Sequence, residues 1–460
     1  MCISSQNPLD VNREYFPANT RVAVDGAIAG AATVTVAGDF SITYHKHFKV
    51  VKNLKTDPVK TYILRICGSD APTQYPDGTA IEAGAKHFSV PVKGAALGWS
   101  TPVAYFEQLD LLDKVKLVDA SYSHSPCLHS AKVAGDITQE GSANWESKTA
   151  SETSVELVVA SGSSYDCNCD KDVEFSSPSD DTPLGRAEWI KYLATFFNEE
   201  DRANLVFSRE KAAYDATKQI ATDAAALHEV TKAKKKCAWI GLAYNSDYSV
   251  SYWILEKTAY KLKYCTDAGM QPVTDLDGSG VPKKYVKSST DLNTALADVD
   301  VIIDTSWDKD PATNLNTKAK VLTALGLSSI KDGAVLLRVD RELYDTGSNS
   351  YNWAWLESAV IRPAHVLQGL VHAVWPNSVK EIPTACVDYF RDITAAGGAE
   401  AVKIVDHNHC AKWDNANAES QCITNIISDD DMAAHRDSPA AKPSFIVAIL
   451  VALVVAFIGA

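Results

Sequence analysis

Arginines set beside aromatic rings, and cysteines set beside histidines or acids, are the residues of this chain that could do chemistry. The densest group follows the apolar run AVLLRV: Arg338, Arg341, Tyr351, Trp353 and Trp355. A guanidinium forks onto a carboxylate and the rings stack on a flat ligand, so this group suits the carboxylates of haem or a siderophore. Tyr244, with Tyr248, Tyr252 and Trp253, follows CAWIGLA, and Trp307 follows VIID. Both places lie beyond the carboxyl end of a strand, where open α/β sheets bind ligands. In the first half, Tyr44, His45 and His47 end a strand and could face a flat ligand or ligate iron. Trp99 opens a helix whose first N–H groups, at Ser100 and Thr101, could meet an anionic group. Each of these has a plain structural reading beside it: solvated strand ends, a helix cap, and tryptophans in the core.

The cysteine and histidine clusters point less clearly to chemistry. Ser121, Tyr122, Ser123, His124 and His129 are close only in sequence, and a metal needs two or three convergent ligands. Cys167 and Cys169, flanked by Asp166 and Asp170, do not complete a metal site, so a disulfide partner elsewhere is expected for each. His407, His409 and Cys410 lie in a polar segment with Cys422, where a Cys410–Cys422 disulfide is expected and the histidines are incidental. Arg186, Glu188 and Trp189 read as structural, with Trp189 in a core and Arg186 in an ion pair. No GxSxG, P-loop or HExxH occurs, so neither catalytic residues nor a resident metal site is expected, and the chain reads as a non-enzyme.

The elements that must position these residues form two halves. Residues 31–50 alternate and carry β-branched residues, and Thr61–Cys67, Phe88–Val92, Val115–Val118 and Val155–Ala160 read as further strands. Thr101–Leu112 reads as a helix and 121–149 as loop. From Pro183 to about Lys234, apolar residues at three-and-four spacing predict a helical stretch broken near Asn198. The second half repeats the strand–helix character: strands at Cys237–Ala243, Val301–Asp304 and Ala334–Val339, helices at Tyr252–Ala268, Asn316–Leu325 and Trp355–His372. The expected architecture is α/β, with two lobes bridged by a long helical segment and a ligand cleft between them. Its expected parts are an N-terminal lobe over 30–182, an inter-lobe helical segment over 183–234, a C-terminal lobe over 235–395, a polar stalk over 396–444 and a hydrophobic end over 445–460.

Composition sets the surroundings. The chain of 460 residues is 46% hydrophobic and 22% charged, which excludes disorder over most of its length. A net charge of -14 argues against a nucleic-acid partner. Ten cysteines spread over a chain this large fit loop-tying disulfides in an oxidising compartment. Glycosylation lends no support, since no N-x-S/T acceptor occurs. The end, FIVAILVALVVAFIGA, reads as a membrane anchor: either a transmembrane helix or the tail of a lipid-anchor (GPI) signal cleaved near Ser428 or Ser438, the second being preferred. The opening MCISSQNPLDVNREYF does not read as a signal peptide, which conflicts with secretion unless the start is wrong or trimmed. A cytosolic protein with a tail inserted after synthesis is the alternative.

PLGRAEWIKYLATFFNEEDRANLVF, GWSTPVAYFEQLDLLDKVKLVDAS, VELVVA, VDVIIDTSW and NWAWLESAVIRPAHVLQGLVHAVWP together resemble the helical-backbone substrate-binding proteins. These are the periplasmic proteins that bind siderophore-iron, haem and vitamin B12 for bacterial importers. The likeness runs from about Val34 to Phe390, with diffuse motifs. It implies a receptor that binds a small-molecule metal chelate or tetrapyrrole-like ligand between two lobes, without catalysis. The C-terminal position of the apolar end departs from the family's N-terminal tether and puts an importer partner in doubt. The expected function is therefore a membrane-anchored cell-surface receptor for an iron complex, haem or corrinoid, with a membrane transporter as one conceivable partner. Two alternatives remain: a structural or adhesive surface protein with a degenerate cleft, and a metal-cofactor enzyme on a related two-lobed fold.

Overall fold

The computed structural model describes residues 15–16, 21–22, 28–160, 165–244, 251–274, 285–286, 289–308, 311–347, 350–378, 388–395 and 398–410. The expected stalk beyond 410, the apolar end 445–460 and Cys422 lie outside the described residues.

Two sheets carry the α/β character. In the first lobe, five parallel strands run in the order Asp172–Glu174, Leu157–Ala160, Ala95–Leu97, Val115–Val118, Thr138–Gln139. Leu157–Ala160 and Ala95–Leu97 are buried at every residue, as parallel strands covered on both faces must be. In the second lobe, Lys236–Tyr244, Val301–Asp304 and Val335–Arg338 are parallel neighbours. They are flanked by antiparallel Ser251–Leu255 and Arg391–Asp392. The fold class expected from sequence is the one observed. A further sheet, Phe40–Tyr44, Phe48–Asn53, Lys60–Ile66 and Lys86–Val90, precedes the first lobe.

The break in the connecting segment falls where the spacing places it. One helix, Pro183–Phe197, ends at Asn198 in the left-handed conformation (φ 60°), and a second, Glu200–Glu229, follows. Every residue of the first except Leu184 is buried. Trp189, Tyr192 and Phe196 meet Phe40, Tyr62 and Phe88 on one side, while Trp189 and Tyr192 also touch Phe175. The helix is therefore walled in on almost every side, and its charged residues Arg186, Glu188 and Lys191 are buried with the apolar ones. The second helix buries a narrower stripe that includes Ala213, Thr217, Ala221 and Ala225. Its small residues admit the turn at Gly269 (φ 77°), where an added Cβ would lie 2.7 Å from the Ala221 carbonyl oxygen.

Several expectations are corrected. The helix at Thr101 stops at Gln108, because Asp110 takes a positive φ of 59°. The stretch 121–149 holds two helices, Pro126–Ala134, capped by Ser125, and Trp145–Ser151. In place of a helix over Tyr252–Ala268 there is a strand, Ser251–Leu255, and then a helix, Ala259–Asp267. Aromatic and β-branched residues fit a pleated surface better than a helix over the first five of these positions. The closing helix is divided: Ala354–Glu357, a 3-10 turn, then Pro363–Val374, with Pro363 in its first turn.

Residues 398–410, placed in the stalk by their polarity, belong to the body. Lys403–Val405 pairs in parallel with Glu342–Asp345. Cys410 is bonded to Cys127, 283 residues away, and not to Cys422. A polar run says nothing about which distant element faces it, so Cys127 was not legible as the partner. Cys167 and Cys169 are bonded to each other, against the expectation of separate partners, and Cys237 to Cys265. Cys67 is also disulfide-bonded. The expectation of loop-tying disulfides is met. Among the described residues, no helix is long and apolar enough to cross a membrane.

Candidate functional site

A cleft of about 220 Å³ lies where the two lobes meet the first turn of the connecting helix. The first lobe supplies Trp99 and Thr101, which follow the carboxyl end of Ala95–Leu97. Pro178 at the end of the first lobe and Pro183 and Arg186 of the connecting helix continue the wall. The second lobe supplies Tyr260 and Tyr264, one turn apart on Ala259–Asp267, and Trp355, Leu356, Ala359 and Val360.

Arg186 is the cation of this site. Thr182 caps its helix by accepting the Gly185 N–H, and Gly185 lacks the Cβ that would strike Asp180 and Thr182. The guanidinium carbon lies 3.7 Å from the centre of the Tyr260 ring, and Nη2 donates to the Pro178 carbonyl at 3.0 Å. Arg186 is 8% exposed, and its Nε has no hydrogen-bond partner. The Trp99 indole Nε1 is buried and unpartnered as well. A buried donor without an acceptor costs about 1–3 kcal/mol, so these two are unmet hydrogen-bonding capacity on residues beside the cleft, both closed off from solvent in this conformation. Burial pushes the Tyr264 hydroxyl well above its ordinary pKa against the opposing charge of Arg186, so it stays a neutral phenol. Trp355 is backed by Trp239, rings stacked at 5.5 Å, which fixes it as a rigid wall. The arrangement can hold a flat ligand by its faces and an anionic edge by Arg186 and Trp99.

Below the cleft the lobes are joined by polar contacts. The His124 N–H donates to Glu357 Oε2 at 2.9 Å, and Asn352 Nδ2 donates to the Ser123 carbonyl at 2.8 Å. His129 stacks on Tyr344 at 3.9 Å. Burial pushes His124 down to about 4, so its 3.3 Å approach to Glu342 involves a neutral imidazole at neutral pH. These two histidines make packing and hydrogen-bond contacts across the interface.

Of the residues expected at a site, Trp99, Thr101 of its helix start and Trp355 line this cleft. Arg338 is 1% exposed and spent on structure: it pairs with Asp304 and Asp340, and Asp340 in turn binds Arg391. Arg341 reaches Asp388 and Glu400 and donates to the Ala401 carbonyl. Trp353 is core at 2% exposure, and Tyr351 is a half-buried strand residue two positions before it. Tyr44 accepts the Ala32 N–H at 2.9 Å and lies 3.4 Å from Glu200, on a separate open depression with Ala31–Val34. The His45 ring packs on Phe48 at 4.6 Å. Trp307 stands 56% exposed after Val301–Asp304, and the side chain of Tyr244 lies outside the described residues. Arg186, Tyr260 and Tyr264 were missed. The Tyr260/Tyr264 pair, four apart on a helix, carried a signal, hidden by placing the helix start seven residues early; Arg186 carried none that separated it from an ion pair.

No family model and no curated protein matches the chain. Solved structures do align with it. A periplasmic binding protein from Veillonella parvula aligns over 73% of this chain and 97% of its own, at 13% identity and a TM-score of 0.42. A periplasmic heme-binding protein from Pseudomonas aeruginosa aligns over 68% and 99%, at 14% identity and a TM-score of 0.41. A petrobactin-binding protein from Bacillus subtilis aligns over 63% and 93%, at 12% identity and a TM-score of 0.41.

Proposed function

We propose that this chain is a receptor that holds a small ligand between its two lobes, with an iron complex, haem or corrinoid as the ligand class. The observation that carries this reading is the cleft between the lobes, with buried unpartnered donors on Arg186 and Trp99 among four aromatic rings. Its volume of about 220 Å³ is below the roughly 300–1,000 Å³ of sites that engulf drug-sized ligands. A small chelate would sit inside; a tetrapyrrole would insert one carboxylate-bearing edge. No residue described at the cleft supports a reaction, so the reading is binding without catalysis. Attachment to a membrane surface through 445–460, with the body in an oxidising compartment and a membrane transporter as a further partner, is part of the same proposal and rests on the sequence and the disulfides.

Titration of the full chain with ferric siderophores, haem and cobalamin, followed by tryptophan quenching and visible absorption, tests it. Saturable quenching at micromolar ligand by one class is expected. No change with any of the three sinks the receptor reading. A cell-surface structural role would then stand, favoured by the Cys127–Cys410 crosslink that ties the first lobe to the second.

A further inference from the structure

The loop after Leu157–Ala160 holds a group of residues that the cleft does not use. Cys167, buried, and Cys169, half-buried, are bonded to each other across Asn168, whose φ of 50° turns the loop back on itself. Asp172 holds the loop: Oδ1 accepts the Cys167 N–H at 2.7 Å and Oδ2 the Cys169 N–H at 3.3 Å. One Sγ from each cysteine and one Asp172 oxygen all lie within 4.8 Å of one another. Lys86 donates to the Cys169 carbonyl at 2.7 Å and stands 3.8 Å from Asp172. The Asp166 Oδ1 is buried with no hydrogen-bond partner.

A crosslink between residues two apart constrains the unfolded chain little, because the stabilisation grows with the logarithm of the loop closed. Stability therefore does not account for this disulfide as it does for Cys127–Cys410. The donor set does suggest a use. Four ligands at about 2.3 Å around a tetrahedral ion stand roughly 3.8 Å apart. Opening the S–S bond lets the two sulfurs separate by roughly 1.8 Å to reach that spacing, and the Asp172 oxygen already lies within 4.8 Å of both. Two thiolates with one carboxylate select a thiophilic ion over calcium or magnesium.

We propose that the Cys167–Cys169 disulfide gates a soft-metal site, opened by a low-molecular-weight thiol and then filled by one divalent ion such as zinc or cadmium. The two reductant thiols are oxidised to their disulfide. The Cys167–Cys169 bond is reduced, and both cysteines leave that step as thiols. The ion replaces their two protons, which go to solvent, and does not change oxidation state. Cys167, Cys169 and Asp172 are the ligands, and solvent takes the fourth position.

The test uses the full chain, reduced with graded glutathione, alkylated and mapped by mass spectrometry, then titrated with Cd²⁺ in a parallel unalkylated sample. Cys167 and Cys169 are expected to label before Cys127, Cys410, Cys237 and Cys265. The reduced protein is expected to show one equivalent of cadmium–thiolate charge-transfer absorption that the oxidised protein lacks. Cys169→Ser removes that band, and Asp172→Asn weakens binding at least tenfold. Earlier labelling of another pair overturns the gate. Absence of the band once both cysteines are free, or its survival in Cys169→Ser, overturns the site. If Asp172→Asn loses its native circular dichroism, the Cys169→Ser result, checked the same way, decides alone.

Discussion

Arg186 shows how little a residue type says about its task. In sequence it stands in a helix start with acids nearby, and an ion pair is the natural reading. In the fold it meets a tyrosine face and a carbonyl, and one donor is left over at a cleft. Arg186→Met is expected to weaken ligand binding tenfold or more, the roughly 1.5–3 kcal/mol of a hydrogen bond to a charged group, read by tryptophan quenching. Trp99→Phe keeps the ring and loses only the N–H, so a smaller loss of about 1 kcal/mol is expected in the same titration. Glu188 is the opposite case, a polar residue whose structural reading holds. It accepts from the Thr35, Val36 and Ala37 N–H groups and the Thr35 hydroxyl, and pairs with Lys191 at 2.7 Å. Burial opposes its ionisation, but Lys191 and these hydrogen bonds outweigh it and hold the carboxyl below the ordinary range. Its contribution is therefore present above that range and lost as pH falls through the lowered value. Glu188→Gln is expected to cost about 3–5 kcal/mol at neutral pH, measured by urea denaturation, because Lys191 is left buried without its partner.

At the scale of elements, local pattern decided much. The helix over Pro183–Phe197, its end at Asn198 and the buried strands Leu157–Ala160 and Val301–Asp304 were legible, because spacing and runs of apolar residues report burial directly. The strand Ser251–Leu255 was not, since a short apolar run of aromatic and β-branched residues suits either period until its neighbour is known. The crosslinks were not either. Cys127→Ser frees Cys410 and reopens a loop 283 residues long, and is expected to cost about 2–5 kcal/mol in chemical denaturation. Cys167→Ser with Cys169→Ser, whose crosslink spans two residues, is expected to cost far less in the same measurement.

For the whole molecule, the interface between the lobes carries a pH dependence. Glu357 Oε2 accepts the His124 N–H, and burial together with the charge of Glu107 pushes its carboxyl up to about 8. Glu107 itself, raised by burial, bonds the Ser125 hydroxyl, and Arg362 faces it. A raised carboxyl stabilises the fold fully below its ordinary value of 4.5, and that contribution is lost as pH rises through about 8. His124, lowered by burial to about 4, works in the other direction, its stability being lost as pH falls from 6.5 through that value. Between pH 6.5 and 8 only the Glu357 contribution of these two varies. Glu357→Gln is expected to flatten the fall in stability over that window, measured as urea midpoints at several pH values. An identical fall in the variant would show that another group sets it.

The sequence alone determined that two α/β halves flank a helical link, because hydrophobic period and run length are local consequences of burial. It also led to the expectation of loop-tying disulfides, which the described residues meet. Only the tertiary structure separated the arginines. Arg338 and Arg186 are chemically the same group, and one is consumed by Asp304 and Asp340 while the other keeps a free donor. It likewise decided that Cys410 meets Cys127 and that 398–410 closes the body. These are contacts between residues far apart in the chain, fixed by how whole elements pack, and no local pattern encodes them.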